Sequence, residues 1–171
     1  TLTKMGASEW TYGANSTTSC TGALVITQGS FRLAGNGSGL IGSTVISVNN
    51  PGSQFHINMD NNNAPDRVPN AAVITLNNTA PGLGLALRTT HDSSRAETVG
   101  TLALGAGHNV VLADATNATR FGTLTFAAAS GSNVTRTNNA TTLVVGRALG
   151  SVAYTGTGPG GGAVTAATQG G

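Results

Sequence analysis

"TGALVITQGSFRLAG", Thr21–Gly35, carries the pattern from which the fold follows. Two short runs, Ala23–Thr27 and Ser30–Leu33, are made of strand-favouring residues, and Gly29 stands between them where the chain must turn sharply. Leu24 and Ile26 stand two apart and so would share one face of a strand, with Val25 on the other. Runs of the first kind recur at Thr44–Val48, Ala72–Leu76, Thr101–Leu104, Thr123–Phe126 and Thr142–Val145. Runs of the second kind trail them at Gln54–Ile57, Leu85–Arg88 and Asn109–Leu112. Helical periodicity is missing, because Gly, Thr, Ser and Asn interrupt every window in which an i, i+3, i+4 pattern begins.

The first apolar residues of the leading runs are Leu24, Val45, Val73, Leu102, Leu124 and Leu143, separated by 21, 28, 29, 22 and 19 residues. A spacing near twenty with some longer intervals predicts coils of a solenoid with insertions on some turns. The expected architecture is all-β, a right-handed parallel β-helix with two or three short strands per turn. On this reading each strand lies about 4.8 Å from its equivalent in the next coil. Leu24/Ile26, Val73/Thr75 and Leu124/Phe126 are the expected inward pairs, and Gly22, Gly29, Gly35, Gly42, Gly100, Gly122 and Gly146 the expected turns. The alternative is an antiparallel β-sandwich, which also has many short strands. Asn36-Gly37 is the only Asn-Gly hairpin pair, which speaks against it. Residues 1–155 are expected to form the solenoid module, and 156–171 a Gly-rich tail or connection, with "GTGPGGG" at Gly156–Gly162.

Charged residues are 8% of the 171-residue chain, against roughly 25% in an ordinary soluble domain. The surface is therefore wetted by Thr, Ser and Asn, and little charge repulsion opposes self-association. Eight cations, Lys4, Arg32, Arg67, Arg88, Arg95, Arg120, Arg136 and Arg147, are scattered singly without interleaved aromatics, which argues against nucleic-acid binding. No apolar stretch reaches membrane-spanning length, and the residues from Thr1 lack the basic and apolar regions of a signal peptide, so the expectation is one module of a longer chain. Cys20 is the single cysteine and makes no internal disulfide.

"TLTKMGASEWTYGANSTTSCTGALVITQGSFRLAG", Thr1–Gly35, resembles the autotransporter-associated β-strand repeat of large bacterial surface proteins. Leu2-Thr3-Lys4-Met5-Gly6, Trp10, Gly13-Ala14-Asn15 and Phe31-Arg32-Leu33 stand in the matching order, and a looser likeness runs through Arg67–Asn78 and Ala96–Leu112 to about Gly150. Thr17–Gly22 departs from the Tyr-Thr-Gly-Gly turn usual there. The resemblance implies an extracellular or cell-surface β-helix acting as stalk, spacer or adhesive surface, with no catalytic motif to transfer.

Chemistry-bearing residues are few. His56, His91 and His108 have no metal-ligand spacing, and His91-Asp92 with Arg95 is the densest cluster. Asn58–Asn70, "NMDNNNAPDRVPN", reads as a protruding loop whose Asp60 and Asp66 lack the glycine and terminal acid of a calcium loop. Six acids, Glu9, Asp60, Asp66, Asp92, Glu97 and Asp114, leave Asp66 with Asp92 or Glu97 as the pairs able to stack, as a polysaccharide-acting β-helix enzyme would need. Asn-x-Ser/Thr sequences stand at Asn15, Asn36, Asn77, Asn117, Asn133 and Asn139. The expectation is a non-enzymatic extracellular structural module with no catalytic residue, cofactor or metal site. Its expected partners are further coils, end to end or within one long chain, with the extracellular matrix or glycans as a further class. An adhesin or glycan-binding surface, with specificity at Asn58–Asn70 and Arg88–Arg95, is the alternative, and the enzyme the second.

Overall fold

The computed structural model describes residues 1–13, 20–34, 42–59, 67–89, 95–115, 122–148, 150–154 and 167–168. Among these there is no helix. The strands in chain order are β1 (Leu2–Lys4), β2 (Glu9–Gly13), β3 (Leu24–Ile26), β4 (Ser30–Ala34), β5 (Val45–Asn49), β6 (Gln54–Asn58), β7 (Val73–Asn77) and β8 (Gly84–Thr89). They continue with β9 (Arg95–Val99), β10 (Thr101–Ala106), β11 (His108–Ala115), β12 (Gly122–Phe126), β13 (Val134–Arg136), β14 (Thr141–Ala148), β15 (Gly150–Tyr154) and β16 (Ala167–Thr168). Three sheets collect them: β1-β3-β5-β7-β10-β13, then β2-β4-β6-β8-β11-β14, then β9-β12-β15-β16. Every described ladder is parallel except the last, where β16 runs antiparallel to β15. The antiparallel alternative therefore does not describe these sheets.

Up to β8 the chain alternates between the first and second sheets, and from β9 it visits all three in rotation. Side chains stack in columns because the register is parallel. On the first sheet one buried column reads Leu2, Leu24, Ile46, Ile74, Leu102, Val134, at offsets of 22, 22, 28, 28 and 32 residues. The intervening, outward column reads Thr3, Val25, Ser47, Thr75, Ala103, Thr135. Branched or small side chains suit that pleated surface.

The second sheet's inner columns taper. One reads Trp10, Phe31, Phe55, Leu85, Val111, Val144 and the other Tyr12, Leu33, Ile57, Leu87, Ala113, Gly146. Where two sheets alone line the interior, large rings fill it, and Phe31 and Phe55 lie 6.3 Å apart between centroids. Where the third sheet joins, buried Leu124 and Phe126 supply the missing volume. Close packing demands such compensation, because an unfilled interior forfeits its van der Waals contacts.

The two kinds of corner differ. Residues with positive φ crowd the bend from the first to the second sheet: Gly6, Gly29, Asn50, Gly52, Asn78, Gly84, Gly107, Asn138 and Asn139. Gly29, at φ 69°, also has no room for a side chain, since a Cβ there would stand 2.5 Å from the Gly6 carbonyl oxygen. Asparagines at this corner bond from one first-sheet strand end to the next: Asn77 Nδ2 donates to Asn49 Oδ1 at 2.7 Å, and Asn50 Nδ2 to the Thr27 carbonyl at 3.1 Å. The connections from the first sheet to the second are short, from one residue between β10 and β11 to six between β7 and β8, whereas ten residues separate β2 from β3 and fourteen separate β6 from β7.

Several sequence expectations need correction. Leu24, Val45, Val73 and Leu102 all lie on the first sheet but not in one column, since Val45 and Val73 stand one residue before Ile46 and Ile74, the register partners of Leu24 and Leu102; Leu124 and Leu143 lie on the third and second sheets. Val73/Thr75 is not an inward pair: Ile74 and Leu76 are buried, while Val73 is 37% exposed. Gly122 and Gly146 lie within β12 and β14 rather than at turns, and Gly35 lies outside the described residues. Of residues 156–171, expected as a tail or connection, Ala167–Thr168 pair with β15 and the others lie outside the described residues, which leaves that expectation open to neither support nor correction.

Candidate functional site

Side chains that alternate with the core on the second sheet form an outward row at the end where its strands finish. One column reads Arg32, His56, Ala86, Leu112, Val145. Beside it, two residues further along each strand, stand Asn58, Arg88 and Asp114, and the backbone register continues to position 147 of β14. The arrangement follows from local sequence: Phe55-His56-Ile57-Asn58, Leu85-Ala86-Leu87-Arg88 and Val111-Leu112-Ala113-Asp114 each place a polar residue after an alternating inward pair.

This face is more enclosed than an ordinary solvent-facing sheet. His56, Asn58 and Asp114 are all buried, and Arg88 keeps about a third of its side chain in water. Arg88 Nε lies 3.8 Å from Asp114 Oδ2, close enough for charge attraction and too far for a hydrogen bond. Asn58 Oδ1 is buried without a hydrogen-bond partner among the described residues.

A second polar feature is internal. Glu97, fully buried, takes the position in β9 that Leu124 takes in β12. Its carboxylate accepts from the backbone N–H groups of Arg67, at 3.0 and 3.1 Å, and of Val68, at 2.8 Å. The carboxylate thus ties the segment before β7 to the start of the third sheet. Lys4 similarly closes the first sheet's second inner column, Lys4, Ile26, Val48, Leu76, Leu104, Arg136. Its ammonium donates to the carbonyls of Met5, at 3.0 Å, Gly6, and Gln28, at 3.0 Å.

The residues singled out from sequence are distributed differently. His91, Asp92, Asp60 and Asp66 lie outside the described residues. The ends of the expected Asn58–Asn70 loop do not protrude: Asn58 closes β6, and Met59, Arg67 and Val68 are buried. Glu97 accepts from backbone amides, and the carboxylates expected to stack with one another or with it, Asp66 and Asp92, lie outside the described residues. His108, exposed, has Nδ1 2.6 Å from Thr141 Oγ1. Among the described residues no group of three or more His, Cys, Asp or Glu is placed to hold a metal ion, and no helix is long and apolar enough to cross a membrane. Cys20 is a half-buried free thiol packed at the edge of the core. Of the sequence's Asn-x-Ser/Thr sites, Asn15, Asn36 and Asn117 lie outside the described residues, and Asn133 is buried with Oδ1 accepting from the Ala128 N–H at 2.6 Å.

Sequence reasoning missed the Asn58–Arg88–Asp114 row, since its members are 30 and 26 residues apart. Aligning the trailing runs on their alternating inward pairs would have found it. Comparison of the chain with protein-family models, with curated proteins and with solved structures gave no match.

Proposed function

We propose that the chain is a β-solenoid module, with its parallel sheets as the faces of a right-handed β-helix, and that it serves a non-enzymatic structural role outside the cell. One observation carries the reading: in each sheet the strand order follows the chain order, so every turn adds a strand to a growing edge. Such a stack is stiff along its axis, because backbone hydrogen bonds and apolar columns run in that direction. The resemblance of Thr1–Gly35 to autotransporter-associated repeats and the low charge support a stalk, spacer or filament segment at a bacterial surface.

Stacking also leaves edges. Among the described residues, β1 and β2 begin their sheets and β13 and β14 end theirs without a further strand. Met5 and Trp10, near the first edge, are 74% and 42% exposed. Unpaired strand edges recruit further strands, so further coils of the same chain or a second copy would cover them. A head-to-tail contact of that kind propagates when its rotation does not close. Electron microscopy and sedimentation of the purified chain test this reading. Rods longer than one module are expected, and Thr3→Lys with Thr11→Lys, both at exposed edge positions, should return single modules. Compact particles with no concentration dependence, or assembly indifferent to the two lysines, would refute it.

A further inference from the structure

We infer that the outer face of the first sheet is an ice-binding surface, an array of hydroxyl and methyl groups whose ligand is the ordered water of an ice crystal. The inference uses the parallel ladders described above and not the proposed assembly of modules. Two outward columns make the face. One runs from Thr3 through Ser47 and Thr75 to Thr135. The other, two residues earlier on each strand, holds Val45, Val73 and Thr101 in register. This face is open: Thr3 and Thr135 are exposed, and Val45 and Val73 are 51% and 37% exposed. The outer column of the second sheet is covered by contrast, with His56, Ala86 and Leu112 all buried.

The columns set a two-dimensional spacing. Neighbouring strands stand ~4.8 Å apart, and residues two apart on one strand about 6.6 Å. Thr and Val share one shape, branched at Cβ, so hydroxyls and methyls recur at equivalent lattice points. The prism face of ice presents oxygen atoms at repeats close to both distances. A hydroxyl can take the place of one such water, since it donates and accepts as water does, while the methyls beside it fill the hollows between surface waters. What the face lacks excludes other flat partners. Among the described residues neither column holds an aromatic ring, with which a crystalline polysaccharide would be stacked. Neither holds a charge, which a mineral or an anionic membrane would require. Size argues against a second copy. Six strands of three to six residues span at most about 600 Å², short of the ~800 Å² per partner of a stable protein pair.

The test is partition of the fluorescently labelled chain into slowly growing ice, with the shape of single ice crystals grown in its solution as a second readout. The wild-type chain should enter the ice and facet the crystals. Thr75→Lys should cut uptake by about tenfold or more, because a long side chain at the centre holds the face away from the crystal. Val73→Lys, at a position already 37% exposed, should do the same while the thermal midpoint stays nearly unchanged, which separates loss of contact from loss of fold. Ala96→Lys, exposed on the third sheet, should leave uptake as it is. Exclusion of the wild-type chain from ice, equal losses at Ala96 and Val73, or full uptake of the folded Val73→Lys variant would each overturn the assignment. Retention on crystalline cellulose, or sedimentation as a pair, that Val73→Lys abolishes would overturn it in favour of a polysaccharide or a second copy.

Discussion

Ile74 and Val73 are chain neighbours on β7 and face opposite ways, which makes them a sharp test of the column register. Ile74 is fully buried between Ile46 and Leu102, while Val73 is 37% exposed. Ile74→Ala deletes three carbons, worth about 2.4 kcal/mol at ~0.8 kcal/mol per buried CH2. The column above and below is held by backbone ladders and closes only partly, so a cavity term brings the loss to about 3–4 kcal/mol, within the usual range for this substitution. Val73→Ala removes a half-exposed side chain from a pleated surface and should cost about 1 kcal/mol or less. In urea unfolding followed by far-UV circular dichroism, a slope of about 2 kcal/mol per molar converts the first loss into a midpoint lower by about 1.5–2 M. The second variant should move by about 0.5 M or less. Equal shifts, or the larger one at Val73, would refute the register, since the opposite phase of β7 predicts that order.

Other features give compact tests. Gly29→Ala should cost at least about 2 kcal/mol more than Gly6→Ala: both have positive φ, but a Cβ at Gly29 meets a carbonyl oxygen at 2.5 Å and one at Gly6 meets nothing; paired denaturation curves check the difference. Glu97→Leu leaves the buried N–H groups of Arg67 and Val68 without their acceptor and should lower stability by about 2–5 kcal/mol. Glu97→Gln, keeping one acceptor oxygen, should lose less, and hydrogen exchange at the two amides should rise in both variants. Lys4→Met removes an ammonium that serves three carbonyls and should cost about 1.5–3 kcal/mol, read as a lower thermal midpoint.

Strand identity was legible along the chain because it depends on local chemistry. Ala23–Thr27 contains β3, Ser30–Leu33 lies within β4, and Gln54–Ile57 within β6, since short β-branched and aromatic runs between turn residues have few other ways to fold. The recurrence of those runs also pointed to parallel stacking, and all but one of the described ladders are parallel. What the sequence alone left open was which strands share a sheet. Leu124 and Leu143 match Leu24 in composition, yet they sit on other faces, because a turn gains a third strand at β9. The phase of β7 was equally hidden: Val73-Ile74-Thr75-Leu76 is apolar at both parities except at Thr75, so only pairing with Ile46 and Val48 decides what points inward. The Asn58–Arg88–Asp114 row belongs to the same class. Its members become neighbours through register between strands some thirty residues apart, a long-range relation that no local propensity encodes. Local preference determined that this chain makes strands; the register between strands distant in sequence decided which side chains meet.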